Sequence, residues 1–331
     1  MNPSLAVIFV NYRSAGLLLD ALSSLYLETT GMALEVWVVD NASGDDSRER
    51  IEEAFPAVHW IDMGYNAGFA RANNAGIRAA GDKDVLLLNP DTIVLDRAVE
   101  NAYRRLCASE YIACGVQLLN PDLTPQISGN FFMKGGLNHL LPLPYLGGLL
   151  RWIGYRSGTK VPNVREAGSV HEVQWISGAF LMVRRRAIEA AGLMDEDFFL
   201  YAEEVEWCSR LGRVGKMALF GDEHVVHLQG ETIQDGKGYQ GLSTAKDFQL
   251  MLSNHLRVRK QFGVGWFFIL LSGYTAGVPI YVAGSFLHRL FTLRNPFGEW
   301  VPAARFGRNV ARLWWWTPRI LGGKPHFYKV L

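Results

Sequence analysis

A short buried strand that ends in a carboxylate is the feature that most constrains the fold of this chain. Residues 85–92 read VLLLNPDT, so an aliphatic run leads directly into Asn89, Pro90 and Asp91. Pro90 has no backbone N–H and cannot continue a central strand, so the strand must end there. Ligands of open parallel sheets bind at the carboxyl ends of the strands. Asp91 is therefore placed to hold a divalent cation against a substrate phosphate, and a Pro-Asp turn without function is the alternative.

Strand-like runs and helical segments alternate through the amino-terminal part of the chain. The strand-like runs occupy residues 5–10, 35–39 and 58–63, and helices are predicted near 17–25 and 67–80. This alternation predicts an α/β fold, with a mostly parallel central sheet and helices on both faces. The turn after the first strand, NYRSAG, lacks the GxGxxG glycines of a dinucleotide site, and a P-loop is absent. The same turn argues against a nucleotidyltransferase, which would need a Gly-rich, basic signature there.

Polar side chains follow the first, second and fourth predicted strands. They belong to Asn11, Tyr12 and Arg13, to Asp40, and to Asp91. Because the carboxyl ends of parallel strands share one edge, a nucleotide can lie across these residues. Asp40 would then accept hydrogen bonds from a base N–H or a ribose hydroxyl.

The segment 66–76, NAGFARANNAG, is rich in small residues and amides. Its start offers backbone N–H groups at a helix N-terminus, which suits an anion, and Arg71 adds positive charge. Three amides in one helical segment are unfavourable for helix propensity alone, which favours a functional interpretation. The alternative is a helix packed closely on the sheet, with Gly68 and Gly76 providing room.

The middle of the chain loses its periodicity between residues 120 and 172, and within it prolines and glycines interrupt the apolar stretch at 140–158, LLPLPYLGGLLRWIGYRSG. This pattern predicts a mobile or membrane-facing loop rather than a core element. Order resumes in the strand-like run 173–184, which contains Ser177 and Gly178. A glycine inside such a run indicates a bulge or the close approach of a ligand.

An acidic segment, MDEDFFLYAEEVEWCSRL at 194–211, predicts a helix that begins near Ala202. Helical spacing places Glu204 on one face with Cys208 and Leu211, and Glu203 on the neighbouring face. A carboxylate on the inward face tends to have a raised pKa, which suits a general base that takes a proton from a sugar hydroxyl. Ordinary acidity in a first helical turn is the alternative.

A short strand is predicted at 216–220, and His224 and His227 follow it. Either can be an ordinary structural histidine. His227 becomes a candidate metal ligand only if the chain returns it to Asp91.

Charge and cysteine content exclude several classes of protein. Lys and Arg number 33 against 32 Asp and Glu, a net charge of +1, so no global field indicates nucleic-acid binding. The three cysteines lack CxxC spacing, which argues against a disulfide framework or a zinc site and fits a reducing cytosolic compartment. The amino terminus lacks the basic region of a signal peptide.

The carboxyl-terminal part has a different character. Residues 261–287 carry no Asp, Glu, Lys or Arg and are numerous enough to span a bilayer. Three interpretations stay open: an interfacial or re-entrant helical hairpin, a single span, and a dimerising helix pair that would make a homodimer. The basic tail, with three tryptophans at 314–316, favours an interfacial membrane anchor.

Six segments taken together resemble the family 2 glycosyltransferases, particularly their rhamnosyltransferase-like branch. The resemblance covers about residues 5 to 230 and implies the GT-A fold. It implies a glycosyltransferase domain at 1–240, followed by a helical region at 241–331. The segments are NYRS at 11–14, VVDNASGD at 38–45, NAGFARANNAG at 66–76, LLLNPDT at 86–92, WISGAFLMVRR at 175–185 and MDEDFFLYAEEVEWCSRL at 194–211.

The resemblance also implies roles for individual residues. Asn89 to Asp91 stand in place of the family's DxD motif, so Asp91 would hold Mg²⁺ or Mn²⁺ on the nucleotide diphosphate, with His227 as a further ligand. Glu204 stands at the family's catalytic base, one methylene longer than the usual Asp, and Glu203 is the substitute. The residues expected to line the nucleotide-sugar site are Asn11, Tyr12, Arg13, Asp40, Asn66, Gly68, Arg71, Asn89, Ser177 and Gly178.

The implied activity is a metal-dependent, inverting transfer of a hexose, with L-rhamnose from dTDP-rhamnose as the best guess. The acceptor would be a saccharide or lipid-linked saccharide in cell-surface polysaccharide synthesis, at the cytoplasmic side of the inner or plasma membrane. Asn89 and Glu204 both depart from the family pattern. They leave open a non-catalytic membrane-associated subunit that binds a sugar nucleotide or glycan.

Overall fold

The computed structural model describes residues 4–156, 163–164, 166–228 and 242–331. The chain divides into two compact units, and the described residues of the first fall within Met1–Phe131, Asn163–Phe199 and Glu203–Ile233. The second unit comprises Phe132–Pro162, Leu200–Ala202 and Gln234–Leu331. The predicted boundary at 240/241 lies outside the described residues. The structure departs from the predicted division by grouping Phe132–Pro162 with the carboxyl-terminal helices.

The first unit is built on a mixed sheet of nine strands in its described part. The strands of the chain are β1 (Ser4–Asn11), β2 (Ala33–Asp40), β3 (His59–Asp62), β4 (Asp84–Leu88), β5 (Thr92–Val94), β6 (Ala113–Leu119), β7 (Gly129–Asn130), β8 (Asn163–Val164), β9 (His171–Val173), β10 (Trp175–Ile176), β11 (Phe180–Val183) and β12 (Met217–His227). The order in the large sheet is β3-β2-β1-β4-β11-β6-β12-β5, with β9 also paired to β12, and β10, β7 and β8 form a small separate sheet.

The helices of the first unit are α1 to α4, α6 and α7, and those of the second are α5 and α8 to α10. Their bounds are α1 (Ala15–Glu28), α2 (Ser47–Ala54), α3 (Gly68–Ala79), α4 (Ala98–Ala108), α5 (Leu146–Arg156), α6 (Arg185–Ala191), α7 (Glu203–Leu211), α8 (Ala245–Phe262), α9 (Val264–Phe291) and α10 (Trp300–Gly322).

The parallel arrangement predicted from the sequence holds for β1 to β4. β1 pairs in parallel with both β2 and β4, and β2 pairs in parallel with β3. The other half of the sheet is mixed, because β11 lies antiparallel between β4 and β6, and β12 pairs antiparallel with β5 and β9. The large sheet is therefore wholly parallel in its first half and mixed in its second, where β6 and β12 still pair in parallel.

Alternating side chains of β1 pack against helices on opposite faces of the sheet. Val7 and Phe9 are buried in a core cluster that also contains Leu18 and Leu22 of α1. Ile8 points to the other face, where α3 lies so close that a Cβ added at Gly76 would come 2.6 Å from Ile8 Cγ2. The predicted helices on both faces follow from this alternation.

The strand predicted at 216–220 is longer in the structure. β12 runs over 11 residues, Met217–His227, with an irregularity in its pairing to β6 between Phe220 and His224. The bulge lets the strand continue past the interruption at Gly221 and pair again. The prediction of a short strand was wrong for this reason. The extra length carries His227 to a position opposite Thr92, the first residue of β5.

The stretch predicted as a loop contains a 3₁₀ segment at Lys134–Leu140 and the helix α5, both in the second unit. Gly135 and Gly136 have positive φ angles of 66° and 71°. A side chain at Gly135 would collide with the Trp266 ring, and one at Gly136 with Val258. These glycines permit close packing on α8 and α9, so the loop prediction was wrong for this part of the stretch.

The apolar segment 261–287 is not a helical hairpin. α8 ends at Phe262, Gly263 breaks the helix with a φ of 94°, and α9 then continues for 28 residues through Pro279. Gly277 allows close packing, since a Cβ there would lie 3.3 Å from Leu143 and 3.7 Å from Phe306. By length and composition, α9 is the one described helix that could cross a membrane, and a third of its apolar window is buried.

Two helical glycines offer a matched test of the packing of α3 against β1. Gly76→Ala should destabilise the fold by about 1–3 kcal/mol, because the new Cβ has no room beside Ile8. Gly16→Ala, in α1 with nothing within 4 Å of its Cβ position, should stabilise the fold by about 0.5–1 kcal/mol. Urea denaturation measures both, and equal effects of the two substitutions would contradict the proposed contact.

Candidate active site

The strand register brings most predicted site residues to one edge of the large sheet. Asn11 and Asp40 are register partners at the carboxyl ends of β1 and β2, and Asp91 follows β4, which runs parallel to β1. β11 is antiparallel to β4, with Phe180 opposite Leu88, so Gly178 comes at the same edge. The candidate site is this carboxyl edge of the sheet.

A buried hydrogen-bond network joins the ends of β1 and β2. The Asn11 side chain donates to Asp40 Oδ1 at 2.8 Å and to Ser43 Oγ at 3.0 Å. Asp40 also accepts from the Ser43 hydroxyl at 2.6 Å and the Ser43 N–H at 2.9 Å. Ser43 Oγ in turn accepts from the Arg13 N–H at 2.9 Å. The network therefore holds the two strand ends and the turns after them in one arrangement.

This network leaves Asp40 little capacity for a ligand. Both carboxylate oxygens already accept hydrogen bonds, and the residue is only 6% exposed. Tyr12 and Arg13 are exposed instead, with the Arg13 guanidinium 5.5 Å from the centre of the Tyr12 ring. Their flat surfaces can stack on a base. Contact between the nucleotide and Asp40 remains a prediction.

The end of β12 returns His227 to the carboxylate that follows β4. His227 Nε2 lies 3.4 Å from Asp91 Oδ1 and 3.4 Å from Asn89 Nδ2. The Leu228 N–H also donates to the Asp91 carbonyl at 2.8 Å, and His227 is opposite Thr92 in the register. The condition that made His227 a candidate ligand is thus met in the structure.

Gln126 fixes the orientation of the His227 ring. Its Oε1 lies 3.1 Å from His227 Nδ1, and its Nε2 donates to the His227 carbonyl at 2.9 Å. An amide oxygen only accepts, so Nδ1 is the ring nitrogen that donates to Gln126, and Nε2 is the ring nitrogen that faces Asp91. No local pattern indicates that Gln126 contacts His227, which is 101 positions away in the chain.

The donor set suits a divalent cation. A carboxylate oxygen and an imidazole nitrogen at 3.4 Å can both coordinate one ion, and Gln126 supplies the outer hydrogen bond typical of a metal-bound histidine. Among the described residues, no group of three or more His, Cys, Asp or Glu could hold a metal by itself. Asp91 and His227 would therefore share the ion with a ligand such as a diphosphate.

The polar residues of α3 hold the loop before the acidic helix. Asn74 pairs with the backbone of Met194, accepting from its N–H at 3.0 Å and donating to its carbonyl at 2.9 Å. Arg71 donates to the Glu196 carbonyl at 3.0 Å. These bonds give Asn74 and Arg71 a structural role, beside the binding role that the sequence predicts for Arg71.

The backbone groups at the start of α3 also take part in hydrogen bonds with side chains. Asn66 Oδ1 accepts from the Gly68 N–H at 3.1 Å, and the Asn41 side chain bonds to the backbone of Ala67 and Gly68. Gly68 has a φ of 74° and faces the Phe199 carbonyl, where a side chain would collide. Its conformation and this close approach require glycine. Binding of a nucleotide sugar by Asn66, Gly68 and Arg71 stays a prediction.

Glu204 lies next to the turn that contains Ser177 and Gly178. A Cβ added at Gly178 would lie 3.5 Å from Glu204 Cγ, and the Ser177 N–H is held by the Ser128 carbonyl at 2.9 Å. The neighbouring Ala179 carbonyl accepts from the Asn89 N–H at 3.1 Å. The Glu204 side chain therefore lies beside the turn whose backbone adjoins Asn89, at a distance that would also admit a Cβ at Gly178.

The rest of α7 is fixed in the core as the helical spacing predicted. Cys208 lies against β10, with its thiol 3.9 Å from the Ile176 carbonyl, and burial raises its pKa to about 12. Cys208 is therefore a neutral thiol on the Glu204 face of the helix. Glu203, on the neighbouring face, is 2% exposed, whereas Glu204 is half-buried. Of the two, Glu204 is the more accessible to an acceptor.

Comparison with known proteins identifies the domain. Residues 5–149 match the family described as Glycosyl transferase family 2. Over residues 5–149 the chain is therefore similar to the family 2 glycosyltransferases. The prediction made from the six sequence segments is confirmed.

Two relatives are named for the activity they carry out. The chain is 30% identical over 222 residues, 64% of its length, to the low-salt glycan biosynthesis hexosyltransferase Agl10 of Haloferax volcanii, and the match spans 63% of that relative. It is 28% identical over 238 residues to the N-acetylglucosaminyl-diphospho-decaprenol L-rhamnosyltransferase of Mycobacterium tuberculosis, covering 66% of this chain and 74% of that one. The relatives support a glycosyltransferase enzyme.

A solved structure shares the fold. The crystal structure of GalNAc-T7 with UDP, GalNAc and Mn²⁺ superposes with a TM-score of 0.55 at 14% identity, covering 78% of this chain and 48% of that one. At this identity the likeness shows the fold alone. The fold is the GT-A arrangement predicted from the sequence.

Ser43 offers a test of the strand-end network. Ser43→Ala removes a hydroxyl that serves Asn11, Arg13 and Asp40. It should cost about 1–3 kcal/mol of unfolding free energy, because buried donors lose their partner. Ser23→Ala, which removes an exposed hydroxyl bonded only within α1, should stay within about 0.5 kcal/mol of wild type. Chemical denaturation measures the free energy of unfolding of both variants. Equal values for the two would contradict the network.

Proposed function

We propose that this protein is a metal-dependent, inverting glycosyltransferase that moves a hexose from a nucleotide donor to a saccharide or lipid-linked saccharide. L-rhamnose from dTDP-rhamnose is the donor that the relatives favour, since one of them is named as an L-rhamnosyltransferase. The observation that carries the proposal is the meeting of Asp91 and His227 at 3.4 Å. It occurs at the sheet edge that also receives Glu204, so a leaving-group site and a base lie at one edge.

The proton transfer belongs to Glu204. Its carboxylate takes the proton of the acceptor hydroxyl as that oxygen attacks the anomeric carbon. The new glycosidic bond forms while the bond from the anomeric carbon to the diphosphate oxygen breaks. A single displacement of this kind inverts the anomeric configuration, and the nucleoside diphosphate leaves with the electron pair.

The residues that would bind the leaving group lie on the other side of the site. Asp91 and His227 would hold Mg²⁺ or Mn²⁺, whose chemistry there is to neutralise the charge that develops on the diphosphate. Tyr12 and Arg13 present the exposed surface on which the base would stack. Asn11 and Asp40 keep that surface in place through Ser43.

The second unit would attach the enzyme to the cytoplasmic face of the membrane. α9 is apolar over its length, and α10 carries exposed Trp314 and Trp315 beside basic residues. Tryptophan and arginine both suit the depth of lipid headgroups. A lipid-linked acceptor would be reached from that position, and the relative from Mycobacterium tuberculosis is named for a decaprenol-linked substrate.

Glu204→Gln is the direct test of the base. The amide keeps the size of the side chain and loses its basicity, so donor binding should be unchanged and transfer should fall by about 10²–10⁴-fold. Glu203→Gln is the matched control, one residue away, and should retain most of the activity. Donor affinity by calorimetry and product formation by chromatography measure the two effects. A larger loss in Glu203→Gln would transfer the role to that residue.

Gln126→Leu tests the metal site without relying on turnover. The variant loses the acceptor that orients His227, so Mn²⁺ affinity in the presence of dTDP should fall about 10–100-fold. Asp91→Ala should abolish the Mn²⁺ binding. Free Mn²⁺ followed by electron paramagnetic resonance gives the affinities. Unchanged Mn²⁺ binding in Asp91→Ala would refute the assignment.

Donor hydrolysis separates the enzyme from a non-catalytic subunit of the same fold. Slow hydrolysis of dTDP-rhamnose that requires Mn²⁺ or Mg²⁺ is expected of the enzyme. Donor binding without hydrolysis or transfer, with or without metal, would favour the binding subunit.

A further inference from the structure

An apolar cavity of about 560 Å³ lies between α9 and α10, inside the second unit. Its walls include Pro279, Ala283 and Phe286 of α9 and Trp300 and Ala303 of α10. The volume falls in the range of about 300–1,000 Å³ that is usual for small-molecule sites.

The polar groups in the wall are already satisfied. The Ser285 hydroxyl donates to the Val282 carbonyl at 3.1 Å. The Glu299 carboxylate accepts from the Tyr281 hydroxyl at 3.0 Å and from Arg289 at 2.7 Å. The cavity thus offers apolar contact rather than new hydrogen bonds, and a hydrocarbon chain suits it best.

The cavity opens beside an exposed apolar tip, which comprises the end of α9, the turn after it and the start of α10. Phe291 and Leu293 are 82% and 95% exposed, and Trp300, which also lines the cavity, is 59% exposed. Single exposed apolar residues are common, but a cluster of large ones marks an interaction surface. The other exposed members of the tip are Leu287, Leu290, Phe297 and Val301.

The charges of the tip complement a phosphate-bearing lipid. His288, Arg289 and Arg294 lie in this stretch, and its acid, Glu299, is paired with Arg289. Arg289 therefore stands at the rim of the cavity, next to its wall at Glu299. A hydrocarbon chain in the cavity would place its phosphate among these cations.

We propose that this cavity binds the isoprenoid chain of the lipid-linked acceptor, with the apolar tip seated in the membrane surface. This rests on the proposed function, which requires an acceptor anchored in lipid. The cavity would then select the acceptor by its hydrocarbon chain.

Photolabelling of the full chain on anionic vesicles tests the proposal. The probe is a farnesyl phosphate that carries a diazirine in its chain, and the labelled positions are found by mass spectrometry. Labels should fall on the stretch 278–303 in the wild type. Ala283→Trp and Val282→Phe, which fill the cavity, should lower this labelling at least 10-fold. Ala304→Trp, on an exposed residue of α10 outside the cavity wall, should leave it unchanged.

Three results would overturn the proposal. They are equal labelling of Ala283→Trp and Ala304→Trp, no vesicle binding by the wild type, and labelling by a diazirine phosphatidylcholine as strong as by farnesyl phosphate. The last would assign the cavity to acyl chains of the bilayer. Donor hydrolysis, measured on the same preparations, should be equal in all variants. Its absence from the wild type would count against the proposed function, whereas the labelling pattern reports on the cavity alone.

Discussion

The antiparallel pairing of β12 with β5 is the interaction on which the site depends. Backbone hydrogen bonds put His227 opposite Thr92 and tie Leu228 to the Asp91 carbonyl. Without this pairing, Asp91 would be a lone carboxylate after a proline turn, since its partner is more than a hundred residues away in the chain. Most side-chain substitutions, other than those to proline, leave main-chain bonds in place, so the pairing tolerates more changes than the ligands it brings together.

The sequence predicted those parts of the fold that local pattern determines. β1 to β4 were located by their apolar runs, and the start of the acidic helix was placed within one residue of Glu203. The length of β12 was missed because Gly221 interrupts its apolar run, and the pattern does not reveal a bulge. Gln126 was missed for a different reason: its role is created by tertiary contact alone. Packing of the 3₁₀ segment Lys134–Leu140 on α8 and α9 likewise depends on tertiary contacts, those of Gly135 with Trp266 and of Gly136 with Val258.

The amides of α3 show how a polar motif can serve a site without touching a ligand. Asn74 and Arg71 bind the backbone at Met194 and Glu196, and Gly68 accepts the close approach of Phe199. That loop leads into α7, so these bonds fix where the acidic helix begins. The composition of the segment singles it out in the sequence, and in the structure Asn74 and Arg71 position the loop before α7.

The two acids of the site differ because their surroundings differ. Asp91 stands opposite Nε2 of the His227 imidazole, an arrangement that a cation and a diphosphate can complete. Glu204 has the backbone of Gly178 on one side and, on its own helix face, the neutral thiol of Cys208. The proposed division of roles therefore rests on position: Asp91 faces a second group that can bind a cation, and the Glu204 side chain lies beside the turn that leads to β11.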